Sequence, residues 1–129
     1  MERTSYRFDV LSDYGAFRDL QRHRMLTVEW QRLSTHHGYV TPDAIADIDA
    51  TAAWDEVMER TAALAEQIEH AHGPVAAQYA VPFAYRIRYY IDMNAREAFH
   101  LLELRSQPSG HPGYRKIAQD MHRLIRDEA

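Results

Sequence analysis

The stretch "PFAYRIRYYIDMNAREAFHLLELR", Pro82 to Arg105, limits the possible folds more than any other part of this chain. Phe83, Tyr85, Ile87, Tyr89 and Ile91 alternate with Ala84, Arg86, Arg88 and Tyr90, the period of a strand with one apolar and one cationic face. From Met93 the period becomes helical. Asn94, Ala98, Leu101 and Arg105 share a face bordering the core, while Arg96, His100 and Glu103 fall on the opposite arc. A strand that runs directly into a helix requires a core that both can share.

Other segments supply the partners. "SYRFDVLS" sets Tyr6, Phe8 and Val10 against Arg7 and Asp9, a half-buried strand, and Ser12 reads as the N-cap of a short helix carrying Tyr14 and Phe17 inward. Met25 to Trp30 predicts a second strand, with β-branching from Thr27 and Val28, and "STHHGYVTPD" a loop. Trp54, Val57, Met58, Thr61, Leu64, Ala65 and Ile68 fit the template of a long helix with Asp55 and Glu56 in its first turn; Gly73-Pro74 ends it. After "SQPSGHPG", a last helix is expected to bury Tyr114, Ile117, Ala118, Met121, Leu124 and Ile125. The order β-α-β-α-β-α-α predicts an α+β fold. The length of 129 residues predicts a single domain, 1–129, small enough for a site to be completed by a second subunit.

Composition narrows the function classes. Hydrophobic content of 46% and charged content of 26% fit a soluble globular protein. No apolar run approaches the roughly 20 residues of a membrane span, and "MERTSYRF" has no signal-peptide core, so a cytoplasmic location is expected. The absence of cysteine excludes disulfides, thiolate metal sites and a cysteine nucleophile. A net charge of -4 argues against a general nucleic-acid-binding surface, although the positive charge is nearly all arginine, with Lys116 the only lysine.

Chemistry concentrates in "RDLQRHRMLTVEWQRLS". Two permanently charged, forked guanidiniums, Arg22 and Arg24, flank the imidazole of His23, a grouping suited to an anionic or planar ligand; the alternative is a solvated turn. Arg96 and His100, one turn apart, can grip one ligand or form local salt bridges on a wet face. His36-His37, His70-x-His72, and Glu66 with His70 at i, i+4 each offer two metal-ligating groups without a third ordered ligand, so no metal site is expected. Ser34 has no His/Asp context for hydrolysis, and the tyrosines of "YRIRYYI" read as a sheet face rather than a base-stacking platform.

"RHR" after a short helix and opening a strand, followed by "QYAVPFAYRIRYYIDMN", "NAREAFHLLELR" and an amphipathic terminal helix, resembles the flavin-dependent thymidylate synthases, whose signature runs RHRxxSxNExSxRY. The resemblance covers about Phe8 to Ile125 and implies a small, mostly antiparallel sheet packed against helices. It implies FAD as cofactor, a folate one-carbon donor, NADPH, and a homotetramer whose sites lie between subunits. It places Arg22, His23, Arg24, Asn94, Arg96 and His100 on cofactor-binding positions, and makes Arg24 and Arg105 the catalytic candidates, Arg105 on an arginine that binds the nucleotide base. Cations near the electron-rich edge of a reduced flavin would stabilise charge that accumulates there.

The departures concern the substrate side. Glu29-Trp30 stand where the signature has Asn-Glu, and Arg32, Leu33 and Ser34 replace the serine, glycine and arginine that cradle the nucleotide phosphate. Gln78 stands for a further phosphate-binding arginine. Arg32, Arg105 and Gln78 are therefore the substrate-binding candidates. The resemblance implies a flavin-using one-carbon transferase or related oxidoreductase whose acceptor is pyrimidine-like or another electron-rich ring, not ordinary dUMP. The alternative is a non-catalytic nucleotide- or flavin-binding module, or a partner subunit of a fuller synthase; the chain is shorter than a full synthase.

Overall fold

A computed structural model describes residues 1–128. The elements in order are β1 (Ser5–Asp13), α1 (Tyr14–Leu20), β2 (Leu26–Trp30), α2 (Asp43–Asp47), α3 (Thr51–His72), α4 (Pro74–Ala77), a single 3-10 turn at Gln78–Ala80, β3 (Arg86–Asn94), α5 (Ala95–Arg105) and α6 (Pro112–Glu128). The fold is α+β with a three-stranded antiparallel sheet, as the sequence predicts. The chain clusters into two compact units, Met1–Trp30 with the described residues from Arg88 onward, and Gln31–Ile87.

In the first unit the sheet order is β1-β3-β2. The most apolar strand lies in the middle, where both edges are paired: Tyr89, Ile91 and Met93 are buried, and β2 meets β3 antiparallel from Leu26 opposite Met93 to Trp30 opposite Tyr89. Phe17 of α1 packs its ring 4.6 Å from that of Tyr89 and 5.5 Å from that of Trp30. The cap of α1 is Asp13 rather than Ser12: its Oδ1 accepts from the Ala16 amide at 2.8 Å. Ser12 instead shares a 2.9 Å hydrogen bond with the Tyr89 hydroxyl, which burial pushes up from the usual phenol range.

Of the cationic face expected on β3, Arg88 is neutralised within the sheet, while Arg86 donates to the His37 carbonyl at 3.4 Å. Arg88 reaches Asp9 of β1 through Nε at 3.0 Å, and Arg7 of β1 reaches Asp92 at 2.7 Å. Of the last helix, Ala118 and Met121 are buried, whereas Leu124 is exposed, contrary to the expected apolar face.

In the second unit α3 starts at Thr51, earlier than its acidic residues indicated, so Asp55 lies past the first turn and accepts a hydrogen bond from the Tyr39 hydroxyl at 2.7 Å. Gly73, at φ +84°, ends the helix. Met58, Val81 and Tyr85 form a small core with Trp54, Ala62 and Leu33 against it, and the Tyr85 hydroxyl donates to the Met58 carbonyl at 2.6 Å. Val57 and Leu64, expected inward, are exposed. They lie roughly 100–120° around the helix from Met58, outside the stripe that this core uses. The short helices α2 and α4 were not foreseen.

Candidate functional site

The segment between α1 and β2 turns sharply, with the His23 amide donating to the Leu20 carbonyl at 3.3 Å. Alternation then sends His23 inward and its neighbours outward: His23 is 8% exposed, Arg22 and Arg24 are exposed. The buried imidazole meets Glu97 of α5, itself 6% exposed, with Nδ1 at 2.8 Å from Oε1. On the other side, Arg105 donates from Nε to His23 Nε2 at 3.0 Å and from a terminal nitrogen to the Asp19 carbonyl at 2.8 Å. The same guanidinium stacks 5.1 Å from the centroid of the Tyr114 ring.

These contacts define the protonation of His23. A guanidinium can only donate, so Nε2 must present its lone pair and the ring proton sits on Nδ1, donated to Glu97. Burial lowers the His23 pKa below its ordinary value and the charge of Arg105 adds to this; the bond to Glu97 opposes it. The result is a chain from buried Glu97 and His23 to half-buried Arg105 that joins the turn to both ends of α5.

Around it lies an open cavity of about 320 Å³ lined by Arg22, His23, Arg24, Glu97, His100 and Arg105, with Met25 and Leu104 as its apolar edge. The His100 ring stands edge-on to His23, centroids 5.5 Å apart. Arg22 and Arg24 have no carboxylate partner among the described residues, unlike Arg7, Arg88 and Arg96. An unpaired pair of guanidiniums beside an imidazole can hold an anion or the electron-rich edge of a planar ring.

Five residues singled out in the sequence thus converge: Arg22, His23, Arg24, His100 and Arg105. His23 has both ring nitrogens committed to protein and serves to position the turn. Asn94 and Arg96 do not line this cavity. Asn94 caps α5, accepting from the Glu97 amide at 2.9 Å, and exposed Arg96 pairs with Glu2 at 3.0 Å. Arg96 and His100, neighbours on the helix, therefore face different surroundings.

Arg32 and Gln78 belong to the second unit. Arg32 lines a cavity of about 430 Å³ with Ser34, His36, Glu66 and Glu69, and Gln78 Oε1 accepts from the Leu33 amide at 3.1 Å. Among the described residues no three histidine or carboxylate side chains gather in a way that could hold a metal ion. Sequence reasoning missed Glu97. The signal was present: Glu97, Leu101 and Arg105 recur at i, i+4 and i+8, which puts an acid on the buried stripe, where it needs a partner.

Together, the small antiparallel sheet and its cluster of guanidiniums and imidazoles define an α+β protein with a cationic cavity at the end of α5. Over residues 1–129 the chain matches the family described as Thymidylate synthase complementing protein, and it belongs to that family. It is 47% identical over 125 residues to a UPF0159 protein of Chlamydia pneumoniae, an alignment taking in 97% of this chain and 23% of that protein. It is 40% identical over 126 residues to a UPF0159 protein of Thermoplasma acidophilum, covering 97% of this chain and 25% of the other. The chain spans about a quarter of the length of the curated relatives it matches. The family resemblance read from the sequence is borne out. No helix among the described residues is long and apolar enough to cross a membrane.

Proposed function

We propose that this chain is a thymidylate synthase-related transferase module that uses a flavin to deliver a one-carbon unit to a pyrimidine-like or other electron-rich acceptor, one other than ordinary dUMP. The observation that carries this reading is the pair of unpartnered guanidiniums, Arg22 and Arg24, held beside His100 by the Glu97–His23–Arg105 chain. Permanent positive charge without a counter-ion, on a rigidly tied turn, is what an anionic ligand requires.

The donor set fits a flavin nucleotide in part. Two guanidiniums and an imidazole match either its phosphates or the electron-rich edge of its ring, and a cavity of about 320 Å³ accommodates one portion of a dinucleotide, not the whole. That accords with a site completed by other copies of the chain, in the homotetramer that the family resemblance implies. The flavin would supply the carrier for the one-carbon unit and the reducing electrons, with a folate donor and NADPH as their sources. Arg22 and Arg24 would neutralise charge on the ligand, and His100 would offer a ring nitrogen. Arg105 has two nitrogens committed to His23 and Asp19, and its remaining N–H groups can reach a ligand while it holds the turn.

A second reading, a flavin- or nucleotide-binding module serving a fuller synthase, draws support from the altered 32–34 loop, where Gln78 occupies the Leu33 amide. Reconstitution separates the two. Purified chain titrated with FAD should develop a bound-flavin absorption band that denaturation releases. Turnover with a one-carbon donor and an acceptor supports the transferase, binding without turnover supports the module, and no binding in either flavin redox state contradicts the transferase and the flavin-binding form of the module.

A further inference from the structure

Arg105 lines the same cavity as Arg22 and Arg24 but, unlike them, is tethered to the protein. Its Nε donates to His23 Nε2 at 3.0 Å, a terminal nitrogen donates to the Asp19 carbonyl at 2.8 Å, and the guanidinium lies 5.1 Å from the centroid of the Tyr114 ring. Only the first of these depends on a proton. The lone pair that Arg105 Nε–H needs exists because the ring proton is on Nδ1, where Glu97 Oε1 accepts it at 2.8 Å.

A second proton can enter this ring only at Nε2. There it turns an acceptor into a donor aimed at another donor, and sets an imidazolium against a guanidinium with 3.0 Å between the nitrogens. Glu97 favours the new charge but cannot relieve the clash, since its carboxylate lies on the Nδ1 side. The other charged or titratable groups about the ring, among the described residues, are His100 of α5 and Arg22 and Arg24 of the turn itself, and none of them offers an anion. From α1 and α6 come the Asp19 carbonyl and the Tyr114 ring, both through Arg105. His23 is buried and Arg105 half-buried at the edge of the cavity, so the arginine is the partner with room to move.

We infer that His23 is a proton-operated latch on Arg105: a proton arriving at Nε2 releases the arginine's Nε–H, and the guanidinium turns to the cavity beside Arg22 and Arg24, so that the site takes anions more tightly in acid. Burial holds the ring neutral below its ordinary value of 6.5 and the charge of Arg105 assists, against the bond to Glu97, which puts the release on the acid side of neutrality. By linkage, an anion bound in the cavity draws the proton onto His23. The latch rests on the reading of this cavity as a site for an anionic ligand, and adds how its charge is regulated.

Sulfate is the probe, because its own charge does not change over the range tested. His100→Gln protein is the background, since that exposed imidazole would otherwise add a pH dependence of its own. In it, calorimetry should find sulfate bound about fivefold more tightly, or better, at about pH 5.5 than at about pH 7.5. Adding His23→Gln, whose amide oxygen can accept from Arg105 but takes up no proton, should level the two affinities. Circular dichroism at both pH values checks the fold. Should the His23→Gln protein not fold, the ring nitrogens of His23 followed by NMR in the His100→Gln protein decide instead, and sulfate must raise the titration midpoint of His23. An affinity that is level or falls toward acid, a preference that persists without His23, a midpoint indifferent to sulfate, or no sulfate binding at all overturns the inference. FAD titrated into wild-type protein at about pH 7.5 tells the failures apart. Flavin binding alongside any of them overturns the latch alone, and absent flavin binding overturns the reading beneath it as well.

Discussion

The imidazole of His23 and the carboxylate of Glu97 lie 2.8 Å apart, both almost wholly buried, although 74 positions separate them in the chain. That contact closes the first unit around its site. Through the opposite ring nitrogen it extends to Arg105, and through Arg105 to the Asp19 carbonyl at the end of α1. The turn bearing Arg22 and Arg24 is therefore fixed from beneath by polar contacts, and neither of its guanidiniums has a carboxylate partner among the described residues.

Removing Glu97 should be costly. Glu97→Ala leaves a buried imidazole N–H without its acceptor, and a hydrogen bond to a charged group contributes about 1.5–3 kcal/mol. Thermal denaturation should show a Tm lower by roughly 5–15 °C for a domain of this size. Arg96→Ala, which removes an exposed pair with Glu2, should shift Tm by less than about 2 °C. A Tm for Glu97→Ala as small in its shift as that for Arg96→Ala would contradict this chain.

Acid should weaken the same contact. In the folded protein His23 titrates below its ordinary value of 6.5, chiefly through burial, with Glu97 opposing and Arg105 and His100 assisting. As pH falls through about 6.5 the unfolded chain takes up a proton that the folded chain still refuses, so stability declines toward the folded pKa. Above that window the contribution is complete. The Tm advantage of the wild type over His23→Asn should thus be level from about pH 7.5 upward and shrink toward pH 5. An advantage that grows on acidification would show that His23 is held protonated.

Much of the fold was legible because alternation is local. Tyr6, Phe8 and Val10 on β1, and Ile87, Tyr89 and Ile91 on β3, take the faces their period assigns. The pairing of Arg88 with Asp9 was not legible, since it depends on which strands become neighbours and in what register, and no single segment encodes that. Helices α2 and α4 are too short to display a period. The site was legible in part: its cations stand out as a group, but the acid that holds His23 is an ordinary glutamate on a helix until burial gives it a role. Val57 and Leu64 show the opposite failure, apolar residues that fit the helical template and yet lie outside the stripe used by the small core.

Assembly is the next expectation. Exposed apolar side chains favour it: Phe99 and Leu124 in the first unit, Val75 and Tyr79 in the second. Light scattering at micromolar concentration should report a homo-oligomer, with a tetramer expected. A mass near 15.0 kDa would contradict it.

On the function proposed above, Arg22 and Arg24 are presented for a flavin and not for the fold. Titrating FAD into wild-type and Arg24→Ala protein, with the Tm of each apo protein recorded beside it, tests this most directly. A charge-assisted bond to a ligand contributes about 1.5–3 kcal/mol, whereas trimming an exposed arginine usually changes stability by under about 0.5 kcal/mol. Binding to the wild type should be saturable, the affinity of Arg24→Ala more than tenfold weaker, and the apo melting temperatures within about 2 °C of each other. Equal affinities, or a loss of binding matched by a loss of fold, would contradict that reading.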